Sequence, residues 1–211
     1  MFFKGLSLTT AINSAILMVI TPILVLIFSA ILLKEKISNQ KIAGIFLGLV
    51  GALSLILKDG FSYSSDGILG DFFIFINAIS YAIYLALVKP LMFKYHPFTI
   101  MKYCFALVLP FILPLGYAEF REIDWANMPQ HAYWAIFYVV IFVTFLAYLL
   151  NTLALSKVNP SLVSVYIYSQ PLLAALVAVI IGEEQINLSQ IASAIFIFSG
   201  VYLVSINSGK T

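Results

Sequence analysis

Residues 11–33 read AINSAILMVITPILVLIFSAILL, and this stretch decides the fold. It carries no charge over 23 residues, and about 20 apolar residues in a helix cross a hydrocarbon core roughly 30 Å thick. Pro22 stands at its middle. Shifting residues 5–57 by 149 lays them without a gap on residues 154–206, with ten of 53 positions identical, among them Pro22 with Pro171, Glu35 with Glu184 and Gly51 with Gly200. Self-similarity at a fixed offset marks a fold built by duplication.

Working outward, the whole chain has the same character. Of its 211 residues 63% are apolar and 9% charged, where a water-soluble domain carries about 25% charged residues. Seven apolar stretches follow, at residues 11–33, 42–57, 68–88, 99–117, 132–153, 162–181 and 186–206. Backbone groups in lipid must be satisfied within the segment, and the runs are continuous rather than alternating, so the fold class is all-α, a polytopic helical membrane protein, and not a β-barrel. The second stretch is short, and Lys41 and Lys58 at its ends are expected to snorkel to the interfaces.

Lysine placement gives the orientation, because short cytoplasmic loops retain Lys and Arg. One side receives Lys34, Lys36, Lys41, Lys89, Lys94, Lys157 and Lys210; the other receives Lys4, Lys58 and Arg121 together with Asp59, Asp66, Glu119, Glu122, Asp124, Glu183 and Glu184. The C-terminus is therefore expected in the cytoplasm and the N-terminus outside, in a cell (plasma or inner) membrane. The first and sixth stretches are five crossings apart, and an odd number reverses direction, so the two copies are expected to be antiparallel. Inverted repeats are the architecture of alternating-access transporters.

Several short motifs carry a family resemblance. Gly5-Leu-Ser, Thr21-Pro22, Leu33-Lys-Glu35 and the helix from Gly44 to Gly51 recur as Ala154-Leu-Ser-Lys, Ser169-Gln-Pro171, Gly182-Glu-Glu184 and Gly200-Val-Tyr-Leu, and Gly70-Asp71 precedes Ala78-Ile-Ser-Tyr. Together they resemble the EamA-type permeases of the drug/metabolite transporter superfamily. The resemblance implies ten helices in two inverted five-helix repeats, and this chain has seven stretches. Residues 1–57 are then expected to be the end of the first repeat, 68–206 a complete second repeat and 207–211 a cytoplasmic tail. The chain is expected to open inside a third helix, with two more upstream, as a misplaced start codon, a truncated gene or a fragment would produce.

A transport site in lipid must be built from polar and kinked positions. Pro22 and Pro171 each sit near a span's middle and cannot donate to the carbonyl four residues back, at Met18 and Ile167. Prolines commonly kink membrane helices without function, but paired placement makes these two candidate hinges beside a substrate path. Asn77, Tyr81 and Tyr84 share a helical spacing, as do Thr144, Tyr148 and Asn151, and Tyr166 precedes Gln170 by one turn. Asn77, Tyr81, Tyr148, Asn151, Tyr166 and Gln170 are the candidate substrate-binding residues. The competing reading is that they bond helices together. Asp71 is the candidate coupling carboxylate, against the plainer reading that it, Glu35 and Glu184 are solvated interfacial groups or pack against loops.

Other motifs give less. Gly44, Gly48 and Gly51 allow close helix contact, within the chain more often than in a homodimer. Cys104 is single, His96 and His131 fall on opposite sides, and no metal or cofactor is expected. Asn187-Leu-Ser is a glycosylation sequon, and Ser208-Gly-Lys-Thr211 lacks the first glycine and following helix of a phosphate loop. No nucleophile with a base, aspartate pair or zinc helix points to an enzyme, and nucleic acid is not an expected partner. The expected function is a membrane transporter, most often an exporter by the resemblance, moving amino acids, related metabolites or amphipathic drugs, its partners a small-molecule substrate and the lipid bilayer. The alternatives are a non-transporting truncated fragment and a seven-helix receptor.

Overall fold

The structure, a computed structural model, describes residues 2–57, 67–182 and 188–206. Among the described residues there is no strand, and seven stretches are helical and apolar enough to cross a membrane: Ala11–Leu33, Asn39–Ile56, Ile68–Phe93, Pro97–Tyr117, Gln130–Lys157, Pro160–Ile180 and Leu188–Ile206. The chain is an all-helical multi-pass membrane protein. Contacts divide it into two units, one of residues 1–87 and 158–211, the other of residues 88–157. Glu184, the sequon at Asn187 and the tail at 207–211 lie outside the described residues.

In the first unit, α1 (Phe2–Leu6), α2 (Ala11–Val19), α3 (Thr21–Leu33), α4 (Asn39–Ile56) and most of α5 (Ile68–Val88) are followed, after the second unit, by α9 (Pro160–Val165), α10 (Ser169–Ile180) and α11 (Leu188–Ile206). Caps explain the starts. Thr10 Oγ1 accepts the backbone N–H of Asn13 at 3.1 Å, Ser38 Oγ accepts that of Lys41 at 3.2 Å, and Pro160 opens α9 where its missing N–H costs nothing. α3 ends at Lys34, whose φ of 55° is the left-handed turn that stops a helix.

The core of this unit is a backbone-to-backbone crossing of α4 with α11. A Cβ on Gly44 would lie 2.6 Å from the Gly200 carbonyl oxygen, and one on Gly51 would lie 2.8 Å from that of Ser193. Gly44 meets Gly200 and Gly51 meets Ser193, so residue numbers rise along α4 as they fall along α11 and the helices run antiparallel. Ser54 and Ser193 hydroxyls add a bond at 2.7 Å. Without a hydrophobic force between helices in lipid, such close approach supplies the packing energy. Around it Val19, Leu26, Ile45, Ala52, Val165, Tyr168 and Ile197 are buried, the Tyr168 ring lying over Gly48. The glycine stripe is thus used inside the chain.

The second unit holds a 3₁₀ turn at Lys89–Phe93, α6 (Pro97–Glu122), α7 (Gln130–Tyr138), a π-helical stretch at Val139–Leu146 and α8 (Ala147–Lys157). Lys89 Nζ donates to the Leu155 carbonyl at 2.9 Å, a cation on the last turn of α8, where the helix dipole favours it. Between α6 and α7, Asp124 accepts the Asn127 side-chain amide at 2.6 Å and its backbone N–H at 3.2 Å. These bonds, the side-chain one foremost, hold its carboxyl below the usual range.

Lys41 departs from expectation. It does not snorkel: it is 3% exposed and pairs with Glu35. The left-handed turn at Lys34 folds the chain back, and the cap at Ser38 starts α4 so that its first turn faces Glu35.

Candidate functional site

Two membrane-crossing stretches in the first unit are broken at matching places. The first stops at Val19, turns at Ile20 and resumes at Thr21, with Pro22 in the new first turn. The other passes from α9 through a 3₁₀ turn at Tyr166–Tyr168 into α10, with Pro171 in its first turn. Ile20 and Ser169 stand 149 apart, as do Ala11 and Pro160 and the starts of α4 and α11. Before Pro22 the Ile20 N–H reaches back three residues to the Leu17 carbonyl at 3.3 Å, and before Pro171 the Ser169 N–H turns on the Tyr166 carbonyl, also three residues back. A tightened, 3₁₀-type turn therefore precedes each proline.

Beside these breaks lies a cavity of about 300 Å³, at the small end of ligand pockets, which run roughly 300–1,000 Å³. Phe2 and Leu6 of α1, Ala11, Ser14, Ala15, Met18 and Val19 of α2, Ile56, Ile167, and Gln170, Pro171 and Ala174 of α10 line it. No lining residue is ionisable. Ser14 is 4% exposed and its Oγ has no hydrogen-bond partner; Asn13 Oδ1, Thr21 Oγ1, Ser29 Oγ and the Tyr168 hydroxyl are likewise buried and unpaired. A buried polar atom without a partner costs about 1–3 kcal/mol, so these five atoms are unspent hydrogen-bonding capacity in this unit.

Two carboxylates have defined surroundings. Asp71, half-buried in the first turn of α5, accepts the Thr9 hydroxyl at 2.5 Å and the Asn13 side-chain amide at 3.4 Å. Its neighbour Gly70 makes this possible, because a Cβ there would lie 2.7 Å from the Gly5 carbonyl oxygen and the Leu8 carbonyl carbon. Glu35 pairs with Lys41 and accepts the Ser161 hydroxyl at 3.3 Å on both oxygens. Ser161 is fully buried in the first turn of α9, so the carboxylate sits at a helix N-terminus, where the dipole favours it. Glu35 therefore ties the end of α3, the start of α4 and the start of α9 together.

Of the residues singled out in sequence, Gln170 and Pro171 line the cavity, while Pro22 is buried outside its lining. Asn77 and Tyr81 are half-buried on α5, where the Tyr81 and Tyr84 rings stack 6.2 Å apart. Tyr166 is 57% exposed and is not among the lining residues. Tyr148 and Asn151 belong to the second unit; Tyr148 meets Phe105 edge-on at 5.8 Å. Thr144 lies in the π-helical stretch, where the Ala147 N–H reaches back to the Phe142 carbonyl, five residues away. The α-helical spacing that grouped Thr144 with Tyr148 does not hold there. Ser14, Asn13 and Thr9 escaped the sequence reading, although a polar pair inside an uncharged 23-residue stretch was a usable signal.

Residues 1–57 and 68–206 match the EamA-like transporter family, which leaves only short segments uncovered. The chain belongs to the EamA-like transporter family. Its relatives within that family include an uncharacterized transporter of Archaeoglobus fulgidus, 28% identical over 96% of this chain and 70% of the relative. Another is the uncharacterized transporter YyaM of Bacillus subtilis, 23% identical over 97% of this chain and 68% of the relative. A protein of known crystal structure superposes with a TM-score of 0.80 at 18% identity, over 99% of this chain and 72% of that one. This EamA-family chain is thus a membrane transporter by relationship, and the likeness to the crystal structure concerns its fold.

Proposed function

We propose that this chain moves small organic solutes, such as amino acids, related metabolites or amphipathic drugs, by alternating access, with export the favoured direction. The observation that carries the reading is the cavity at the broken spans, walled by α2 on one side and α10 on the other. Two further observations support it. The spans break at places 149 residues apart, and that offset exchanges the contact of Gly44 with Gly200 for the contact of Ser193 with Gly51. Such an exchange is what a two-fold axis through an inverted repeat produces. On this reading residues 1–57 end one repeat of a ten-helix fold, 68–206 form the other and 207–211 are the cytoplasmic tail in a plasma or inner membrane.

Pro22 and Pro171 act as hinges, since the tightened turns before them can lengthen or shorten without breaking an α-helical ladder. The Glu35, Lys41 and Ser161 cluster serves as the tie that one conformation makes and the other releases. Gln170 contacts the solute in the cavity. Asn77, Tyr81 and Tyr166 are secondary candidates in the same unit, and Tyr148 and Asn151 candidates in theirs. Asp71 is the coupling carboxylate, held by two neutral donors that a proton would loosen.

Counterflow in proteoliposomes tests transport: preloaded solute should accelerate entry of labelled solute for at least one member of a broad metabolite panel. Silence across the panel ends the reading. Gln170→Ala should weaken apparent affinity, and Asp71→Asn should keep counterflow while removing any response to an imposed pH gradient. If the gradient response survives in Asp71→Asn, another group carries the coupling.

A further inference from the structure

We propose that the cavity binds its cargo in an uncharged form, a compact amphiphile with an apolar body and one hydrogen-bonding group, and that Ser14 is the specificity-determining residue that receives this group. The inference rests on the transport reading only in taking the bound molecule as cargo; the binding chemistry stands on the cavity itself. Ten of its twelve lining residues are apolar, the other two being Ser14 and Gln170. An ion entering such a lining gives up its hydration and finds no counter-charge, whereas a neutral group finds two polar side chains.

Ser14 shares its unpaired hydroxyl with Ser29 of α3, which does not line the cavity, and differs from most of the other helical serines. Ser54, Ser80, Ser164, Ser193 and Ser205 each donate to a carbonyl three or four residues back, at 2.7–3.0 Å. The Thr10 carbonyl, four residues behind Ser14, accepts its backbone N–H at 3.0 Å and not its hydroxyl. Among the five side chains with buried unpaired atoms named above, Ser14 is the one that lines the cavity. A serine hydroxyl can donate and accept, and the Gln170 amide can do both, so the pair suits an amide or alcohol better than a fixed acceptor or donor.

Binding of labelled hydrocinnamamide to the full chain in lipid nanodiscs tests this, with empty nanodiscs as the background. Phenylpropylamine, hydrocinnamate and phenylalanine compete as cation, anion and zwitterion of similar size. The amide should bind saturably, the three ionic competitors should be at least about tenfold weaker, and Ser14→Ala should weaken the amide roughly three- to tenfold, the worth of one hydrogen bond. Ions that compete as well as the amide, an amide that does not saturate, or an unchanged affinity in Ser14→Ala would each overturn the proposal. Counterflow is measured separately on the same protein. Amide binding lost in Ser14→Ala without any counterflow would sustain the binding chemistry and remove transport. Counterflow of ions with no preference for the amide would do the reverse.

Discussion

The start of α9 and the middle of α2 handle buried polarity in opposite ways. At the start of α9, two full charges and a hydroxyl are shut in together, and each finds a partner: Glu35 with Lys41, and Ser161 with Glu35. In α2 a single hydroxyl, Ser14, is shut in beside a cavity with none. Saturated polar groups lock elements in place and offer nothing to a ligand. Unsaturated ones weaken the fold slightly and are ready to bind. The difference separates what holds this unit together from what it can recognise.

The comparison breaks most visibly at Lys41. Lys41→Met leaves the Glu35 carboxylate buried without its cation and should cost about 3–5 kcal/mol, seen as a large drop in the unfolding midpoint in detergent. Replacing both, as Glu35→Leu with Lys41→Met, should restore most of that loss, because a buried pair exchanged for apolar side chains is often neutral. If the double variant is as damaged as the single one, the pair contributes something other than mutual neutralisation. Ser161→Ala removes a shared, 3.3 Å bond to Glu35 and should cost only about 1 kcal/mol. Ser14→Ala should have the smallest effect and the opposite sign, raising ligand-free stability by up to about 1 kcal/mol, since it deletes a hydroxyl that no protein atom satisfies. A destabilised Ser14→Ala would mean that the hydroxyl is engaged in the resting protein and would erase the contrast.

Much of the fold was legible because lipid imposes a harsh grammar. Seven apolar runs, two of them carrying a single charge at Asp71 and Lys102, become seven spans, while the helix starts capped by Ser38 and opened by Pro160 lie a few residues ahead of the apolar runs. The break before each proline was legible too, though not the tightened 3₁₀-type turns at Ile20 and Ser169, which depend on local turn geometry. Candidate residues were harder. Polarity in an apolar run is visible in sequence, but whether a hydroxyl folds back on its own helix, as that of Ser54 does, or stays unpaired, as that of Ser14 does, depends on the rotamer that tertiary packing selects. The shortness of its span favours a Lys41 that reaches for water, and only the reversed turn at Lys34 shows that Glu35 waits within reach. Thr144 was grouped by a periodicity that the π-helical stretch does not keep.

The crossing of α4 with α11 has a consequence for how this chain can vary over generations. What a methyl group on Gly44 would strike is the Gly200 carbonyl oxygen, and a methyl on Gly200 would strike that of Gly44. Main chain cannot be trimmed by a compensating substitution. A methyl group at either glycine would therefore have to be met by the two main chains moving apart, which opens the whole crossing rather than one contact, so neither position can be altered locally.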